Sequence, residues 1–436
     1  MFEKISQEKR EKAHQAILEG WNKRLDLLIT KAKGASLWDM QNREFIDCTS
    51  QSFSLSVGAC HARVIEAVSE QIQRFTHIQH VMDSVPLLVL TNKLLKVAPD
   101  NLRKVNYCLE GSVAVEGAMK LAMKNKPQGR YFIAMEHGYH GRTLATMTVS
   151  WPLPGNEFSQ YMGNVVRIPE AYCYRCAFGL EYPKCDLECV KFMEHTINNL
   201  VDGEPIAFIM EAIQGNGGQI DFPKEYHQAI RRLCDKYNII FISDEIQTAF
   251  GMVGEMFAAN LYETVPDILV FGKSIGGGFP LAGMLVKEQL RSFDPGEHAT
   301  TFSHFTPSMV AASIVLDILK EEHLLERAKK LGVYIKNRLL EMKKKYEIIG
   351  DVRGPGLAIG VELVKNRKTK EPAVEEASTF IKKGLQQRVM FGVSRYGGVG
   401  NVVKIKPSPT ITDAQVEKVL IVFEEIAKEL NNNKGV

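Results

Sequence analysis

The chain has 436 residues, of which 45% are hydrophobic, and its 54 basic residues nearly balance its 51 acidic residues. This length allows a large buried core and predicts two domains, while the charge balance argues against nucleic-acid binding driven by phosphate neutralisation. No apolar run is long enough to span a bilayer, and the charged first ten residues do not resemble a secretory signal. Eight cysteines in so long a chain do not form a disulfide scaffold. We therefore expect a soluble, cytoplasmic protein.

Helices alternate with short apolar strands along most of the chain. From the N-terminus the pattern predicts a helix over 8–20, strands at Ser36–Asp39 and Phe45–Cys48 around an Asn42-Arg43 turn, and a helix over 62–75. The segments that follow are predicted as strands Val105–Leu109, Tyr131–Met135, Ala207–Ile213, Ile239–Ser243 and Ile268–Phe271, with a helix at Val115–Lys124. Such alternation indicates an α/β fold with a largely parallel sheet.

A charged helical region over 310–345 predicts the connection to a second, smaller unit. After Gly350 the pattern restarts with strands at Ala358–Glu362 and Val402–Ile405 and helices over 375–387 and 413–430. The sequence therefore predicts a large domain over 61–328 and a small α+β domain over 329–436. We expect the N-terminal segment 1–60 to join the small domain.

Two of the predicted strands end in residues that could do chemistry. The apolar run at 268–271 ends in Lys273, with three glycines close behind it, and the run at 239–243 ends in Asp244. A lysine held out of water has a lowered pKa and can form a Schiff base, whereas a solvated lysine before a flexible turn is the simpler interpretation. Asp244 could equally be a helix N-cap. An acid and a lysine at neighbouring strand ends, where α/β sheets bind ligands, suit pyridoxal phosphate.

Two further motifs fit the same cofactor. Gly111-Ser112 lies between a predicted strand and helix, where backbone amides, a hydroxyl and the helix N-terminus can bind phosphate. Tyr139 stands between glycine-containing stretches after a strand, where an aromatic ring can stack on a planar cofactor. Each motif alone is also compatible with an ordinary turn or loop.

Taken together, these motifs make the chain resemble the class III aminotransferases, the ornithine and 4-aminobutyrate aminotransferase family of pyridoxal-phosphate enzymes. The matching stretches cover nearly the whole chain and are Gly58–His61, Gly111-Ser112, Tyr139–Thr143, Gln214–Gly218, Asp244–Thr248, Pro266–Lys273, Gly277–Gly283, Thr301-Phe302 and Arg353–Leu357. The resemblance implies an aspartate-aminotransferase-like fold, with a large, mostly parallel, seven-stranded-type sheet domain and a small α+β domain. It also implies pyridoxal 5′-phosphate as cofactor and a homodimer.

The resemblance further implies a role for each matching position. Lys273 would be the Schiff-base lysine and the base that moves the proton, and Asp244 would pair with the pyridine nitrogen. Gln247 would hydrogen-bond the phenolic oxygen of the cofactor ring, and Tyr139 would stack on that ring. The cofactor phosphate would be held by Gly111, Ser112 and the Val113 amide. Glu211 would lie near the substrate, and Thr301 would reach the cofactor phosphate of the partner subunit.

The chain departs from the family pattern where substrates bind. Met252 stands where the family often has an arginine, and Lys404 aligns with the arginine that clamps the substrate α-carboxylate. Lysine cannot form the planar bidentate fork with a carboxylate. Lys404 could therefore bind a carboxylate less rigidly, or the substrate could carry no α-carboxylate, as with an ω-amine or an amino sugar. The loop after Thr301 also differs, and His304 within it could reach the pocket or simply bond to backbone.

Four cysteines, Cys173, Cys176, Cys185 and Cys189, occur within seventeen residues. They could bind zinc tetrahedrally, but their spacing departs from two paired Cys-x-x-Cys knuckles and the catalysis needs no metal. We predict no metal site and expect reduced thiols.

The leading prediction is an aminotransferase with small-molecule amine and keto or aldehyde substrates, without nucleic-acid or membrane partners. An amino-acid racemase or epimerase would use the same residues, so the motifs leave that alternative open. A catalytically inactive homologue is disfavoured by the retention of Lys273, Asp244, Gln247 and the phosphate cradle.

Overall fold

The computed structural model describes residues 5–18, 25–152, 163–394 and 398–432. Its strands are β1 (Ile29–Lys33), β2 (Ser36–Asp39), β3 (Glu44–Asp47), β4 (Leu102–Cys108), β5 (Tyr131–Met135), β6 (Val165–Ile168), β7 (Pro205–Glu211), β8 (Ile213–Gln214), β9 (Ile220–Asp221), β10 (Ile240–Asp244), β11 (Ile268–Phe271), β12 (Ala282–Lys287), β13 (Ile349–Arg353), β14 (Ile359–Asn366), β15 (Glu371–Pro372), β16 (Val389–Met390), β17 (Gly392–Val393) and β18 (Val402–Ile405).

The α-helices follow the same chain order. They are α1 (Gln7–Ala16), α2 (Ser50–Phe53), α3 (Ala62–Arg74), α4 (Val85–Val97), α5 (Gly111–Asn125), α6 (Leu144–Val149), α7 (Glu188–Asn199), α8 (Gly215–Gly218), α9 (Lys224–Lys236), α10 (Ala258–Leu261), α11 (Thr306–Glu321), α12 (Leu324–Lys345), α13 (Val374–Gln386) and α14 (Asp413–Asn432). Two short 3₁₀ helices span Cys173–Arg175 and Lys273–Gly276.

A seven-stranded sheet forms the centre of the large unit, in the order β4-β12-β11-β10-β7-β5-β6. Its neighbouring strands are parallel except around β12, which runs antiparallel to both β11 and β4. Side chains alternate along β11 between two cores, because successive residues of a strand face opposite sides. Leu269 and Phe271 pack with α3, α4 and α11, whereas Ile268 and Val270 pack with α5. The fold is therefore α/β, with a mixed, mostly parallel sheet covered by helices on both faces, as predicted.

A smaller unit follows, built on the antiparallel sheet β13-β14-β18-β17 and on helices α12, α13 and α14. Its core also contains Ala35, Ile46 and Cys48 from the N-terminal segment. In addition, β3 pairs in parallel with β16. The first strands therefore pack with the last part of the chain, while the domain boundaries after residues 60 and 328 stay predictions.

Four of the differences between the structure and the predicted elements concern the helices and the large sheet. Helix α1 ends at Ala16, and residues 19 and 20 of the predicted helix lie outside the described residues. Helix α5 begins at Gly111 rather than Val115. The region over 310–345 contains two helices, because His323 adopts a left-handed φ of 52° between α11 and α12. Strand β12 was not predicted. Within the described ranges, no helix combines the length and apolarity needed to cross a membrane.

Candidate active site

Three charged side chains meet at the carboxyl edge of the large sheet. Asp244 is the last residue of β10 and lies beside Glu211, the last residue of β7, in the parallel register. Lys273 begins the 3₁₀ helix just after β11, the other neighbour of β10. Parallel neighbours end at the same edge of a sheet, so the acid and the lysine predicted from separate strands come together. Both carboxylates are buried, and the half-buried Lys273 side chain lines a cavity.

The site changes the protonation of these groups. Removal from bulk water lowers the pKa of Lys273 to about 8, although Asp244 and Glu211 oppose the shift. Burial raises the pKa of Glu211 to about 7, and His140 opposes that shift. At pH 7 roughly one Lys273 side chain in ten is therefore neutral, against fewer than about one in a thousand for an ordinary lysine. A neutral amine is the form that attacks a carbonyl or accepts a proton.

His140 holds the carboxylate of Asp244. Its Nδ1 donates to Asp244 Oδ2 at 2.8 Å, while the Ile246 amide donates to Oδ1 at 3.1 Å. The His140 amide is fixed in turn by Ser150 Oγ at 2.9 Å, and within the described chain the buried Nε2 has no partner. In the sequence, His140 stands out only as part of the Tyr139–Thr143 motif. A histidine next to the predicted stacking tyrosine was the available signal for this role.

The cavity reaches the start of α5, where backbone amides form a cradle for an anion. The cavity as a whole is lined by Glu110, Gly111, Ser112, Tyr139, His140, Gly141, Glu211, Asp244, Ile246, Gln247 and Lys273. The first amides of a helix have no intrahelical acceptor and carry the positive end of the helix dipole. A Cβ at Gly111 would lie 2.7 Å from the Ile246 side chain, and one at Gly141 would lie 2.5 Å from Ser112 Oγ. Glycine at both positions therefore keeps the cradle open for an anion.

Tyr139 and Gln247 form other parts of the wall. The Tyr139 amide donates to Glu211 Oε1 at 2.9 Å, and the Arg142 guanidinium lies 5.3 Å from the Tyr139 ring centroid. The Gln247 side chain presents a buried Oε1 for which the described residues provide no hydrogen-bond partner. A planar group that can form hydrogen bonds would fit between these walls.

Pyridoxal 5′-phosphate fits this arrangement on the structure's own features. The helix N-terminus and its glycines suit a phosphate, and the Asp244 carboxylate suits a protonated ring nitrogen. The unpartnered Gln247 Oε1 can accept a hydrogen bond from a ring hydroxyl, and the lowered pKa of Lys273 suits reaction with an aldehyde. Val113 lies in the first turn of α5 but is not among the residues that line the cavity.

Of the two predicted substrate residues, Glu211 lines this cavity and Lys404 does not. Lys404 is 5% exposed, and its Nζ donates to the Gly215 carbonyl at 3.4 Å. The Gly215 amide donates to Glu211 Oε2 at 2.9 Å. The side chains of Lys404 and Glu211 are therefore both hydrogen-bonded to the backbone of Gly215. Met252, which replaces the family's arginine, is fully buried in an apolar cluster. Thr301, predicted to reach the cofactor phosphate of the partner subunit, is exposed on a loop and does not line this cavity.

The four clustered cysteines line a separate cavity, and all are free thiols. Among the described residues, Glu136, His137 and Glu170 form a trio whose possible metal-ligand atoms lie within 4.8 Å of one another, and the cysteine sulfurs do not converge to that distance in threes. The expectation of no metal site remains a prediction.

Comparison with known proteins identifies the family. The protein-family model described as Aminotransferase class-III matches residues 18–427 of this chain. A leucine/methionine racemase of Thermococcus litoralis is 32% identical over 416 residues, which are 94% of this chain and 92% of the relative. A probable 4-aminobutyrate aminotransferase of Bacillus subtilis is 31% identical over 422 residues, covering 95% of this chain and 96% of the relative. The crystal structure of a transaminase from the marine bacterium Virgibacillus superposes with a TM-score of 0.86 at 26% identity and covers 94% of both chains. The chain therefore belongs to the class III aminotransferases, the pyridoxal-5′-phosphate-dependent transaminases.

Proposed function

We propose that Lys273 is the residue through which this aminotransferase moves an amino group between an amine donor and a keto or aldehyde acceptor. Bound in the cavity, pyridoxal 5′-phosphate supplies a carbonyl group that condenses with amines and a ring that withdraws electrons from the substrate carbon. The observation that carries the proposal is Lys273 itself, which lines the cavity beside Asp244 and Glu211 with its pKa lowered to about 8. An amine with this pKa can accept a proton at Nζ and return it near neutral pH.

The other cavity residues would hold the cofactor in place. We assign Asp244, oriented by His140, to the ring nitrogen and Gln247 to the ring oxygen. Tyr139 would stack on the ring face, and the phosphate contacts would come from Gly111, Ser112 and the Val113 amide. The short bond between Asp244 and His140 supports this assignment, because it fixes a carboxylate before any ligand binds.

On the substrate side we propose an ω-amine or an amino sugar as one of the two substrates. Lys404 is the residue that supports this, because a lysine here replaces the arginine that would grip an α-carboxylate in two places. A carboxylate further from the reacting amine can bind a single ammonium group. Glu211, whose pKa burial raises to about 7, would lie near the substrate end of the site.

We further propose a cytoplasmic homodimer in which Thr301 reaches the phosphate of the partner subunit. Thr301 is exposed next to Phe302, which is 45% exposed and packs on His77 with ring centroids 4.6 Å apart. Val81 and Val85, a few residues after His77, are each 74% exposed. Such a group of exposed apolar side chains is typical of an interface. The eight free cysteines are in keeping with a reducing compartment.

Incubation with a single amine, without any keto acid, tests the aminotransferase proposal. The absorbance of bound pyridoxal 5′-phosphate should be replaced by that of the pyridoxamine form, and addition of 2-oxoglutarate or pyruvate should restore it. A panel of ω-amines, diamines, amino sugars and α-amino acids would identify the donor. If no amine in the panel converts the cofactor, the proposal is wrong.

Racemisation is the second candidate, and the observation that favours it is the similarity to a racemase over 94% of the chain. A racemase would invert the configuration of an amino acid while the bound cofactor keeps its original absorbance. Chiral chromatography of leucine, methionine and other amino acids after incubation with the holoenzyme separates the two activities.

A further inference from the structure

We propose that Lys406 is a second cation of the substrate site and that it binds a substrate carboxylate jointly with Lys404. The two ammonium groups would together do what a single arginine fork does elsewhere. This inference rests on the aminotransferase function proposed above, because it concerns how that function selects its substrates.

Lys406 directly follows β18, the strand that carries Lys404. Lys404 belongs to β18, and Lys406 follows two residues later, so the two side chains share one side of the extended chain. Each is only 5% exposed. The Lys406 ammonium lies close enough to Lys404 and to Lys273 for both to act on it electrostatically. Lys406 therefore lies near the amine of Lys273, where the substrate would react.

The backbone and side chain of Lys406 are held firmly. Its amide donates to the Cys48 carbonyl at 2.9 Å, and its carbonyl accepts from Ser50 Oγ at 2.6 Å. Its Nζ lies 4.5 Å from the centroid of the Phe53 ring, an arrangement that favours a cation. Ser274 Oγ donates to the Phe53 carbonyl at 2.7 Å, so the residue next to the proposed catalytic lysine helps to position this ring.

The short segment α2, which carries Phe53, is a strained left-handed turn rather than a right-handed helix. Ser50, Gln51, Ser52 and Phe53 have φ values of 45°, 48°, 67° and 65°, so four consecutive residues with side chains adopt the left-handed region. Each such residue costs free energy relative to the right-handed region, and strain of this kind concentrates at functional sites. The turn presents an aromatic face to an ammonium group that the rest of the fold buries.

Among the described residues, no carboxylate forms an ion pair with Lys406. Asp47 is the acid that acts on it, but both Asp47 oxygens are already bonded: Oδ1 accepts from the Thr49 amide at 2.7 Å and hydroxyl at 2.6 Å, and Oδ2 accepts from the Gln51 amide at 3.1 Å and side chain at 2.9 Å. Burial therefore lowers the pKa of Lys406 well below its usual value, and the nearby Lys404 and Lys273 lower it further.

The lowered pKa means that Lys406 keeps its charge only at a cost in free energy, and an anion bound beside it would remove that cost and favour the ammonium form. The cofactor phosphate is not the natural anion, because its cradle lies at the start of α5. Lys404 instead contacts Gly215, which is hydrogen-bonded to Glu211. Lys406 contacts Phe53, which is hydrogen-bonded to Ser274 beside Lys273. The chemistry that remains is a carboxylate on the substrate.

Two donors of equal chain length test the inference. The wild-type holoenzyme and the variants Lys406→Met, Lys406→Arg and Lys382→Met are compared with 5-aminovalerate and pentylamine, which differ by one carboxylate. Loss of one charged hydrogen bond should reduce the preference for 5-aminovalerate, measured as a ratio of KM values, by about 10-fold to 100-fold in Lys406→Met. Lys406→Arg should keep most of the preference, and the exposed Lys382 provides the matched control.

Calorimetric binding of glutarate to the same holoenzymes gives a readout without turnover. Its dissociation constant should rise by a similar factor in Lys406→Met and stay unchanged in Lys382→Met. An unchanged glutarate affinity in Lys406→Met overturns the inference, and so does a wild-type enzyme that binds glutarate no better than pentane-1,5-diol. If no donor in the amine panel converts the cofactor but glutarate binding still depends on Lys406, the proposed function fails and the carboxylate site stands.

Discussion

The lowered pKa of Lys273 predicts how the apoprotein captures its cofactor as the pH changes. Only the neutral amine attacks the aldehyde of pyridoxal 5′-phosphate, so the capture rate should follow the neutral fraction of Lys273. With a pKa of about 8, that fraction should rise through pH 7–9 and level off above it. A lysine with its ordinary value of 10.5 would still be mostly charged at pH 9.

The expected difference in capture rate follows from the same two pKa values, about 8 for Lys273 and 10.5 for an ordinary lysine. At pH 7 a pKa of about 8 leaves roughly 9% of the amine neutral, whereas the ordinary value of 10.5 leaves roughly 0.03%. Lys273 should therefore capture the cofactor about 300-fold faster at pH 7 than an ordinary lysine in the same position. Glu211 raises the pKa of Lys273 by favouring its charged form, so Glu211→Gln should move the midpoint to lower pH.

Stopped-flow absorbance of the apoprotein mixed with pyridoxal 5′-phosphate between pH 6 and pH 10 measures this midpoint. Glu341→Gln, at an exposed position on α12, is the control and should leave the midpoint unchanged. A midpoint near pH 10, or a shift to higher pH in Glu211→Gln, would refute the account of the electrostatics.

Four further predictions concern single substitutions. Lys273→Ala should remove the visible absorbance of the bound cofactor and nearly all turnover, and wild-type rates in this variant would contradict the central assignment. Asp244→Asn should lower kcat by a factor of roughly 100 or more while the cofactor still binds, because the neutral amide no longer stabilises a protonated ring nitrogen; comparison of kcat with cofactor content checks this. Lys404→Ala should raise the KM of carboxylated donors, and an unchanged KM for all of them would remove Lys404 from the pocket. Gly332→Ala should lower the free energy of unfolding by about 1–3 kcal/mol or more, measured by thermal unfolding, because the added Cβ would meet the Gly356 carbonyl. Gly163→Ala is the control and should have little effect, because no described atom lies within 4 Å of an added Cβ there.

The parts of the site that could be predicted from sequence are those set by strand ends. The apolar runs before Asp244 and Lys273 are short and bounded by polar residues, so their period and length sufficed to identify β10 and β11. Pairing of the two strands in parallel then brings their ends together. Gly111 was predicted to contact the phosphate, which stays a prediction. The start of α5 was placed four residues too late, because a Gly-Ser pair favours a turn when only local propensity is considered.

Features set by tertiary contacts were missed. Strand β12 follows a glycine-rich turn and reverses the direction of the sheet, which no local pattern indicates. His140 acquires its role only through Asp244, a residue 104 positions away in sequence. Lys406 could have been noticed by its spacing of two residues from Lys404, but its burial and its contact with Phe53 depend on the fold.

The antiparallel strand β12 has a consequence for folding. Within the large sheet, β4 is an edge strand and pairs only with β12, which lies about 180 residues later in the chain. Helix α5, with the phosphate cradle at its start, follows directly after β4. Pairing over such a sequence separation closes a large loop and is slow. During synthesis the cradle therefore cannot take its final place in the sheet until residues beyond Lys287 have left the ribosome, so cofactor capture should be a late event in the maturation of this enzyme.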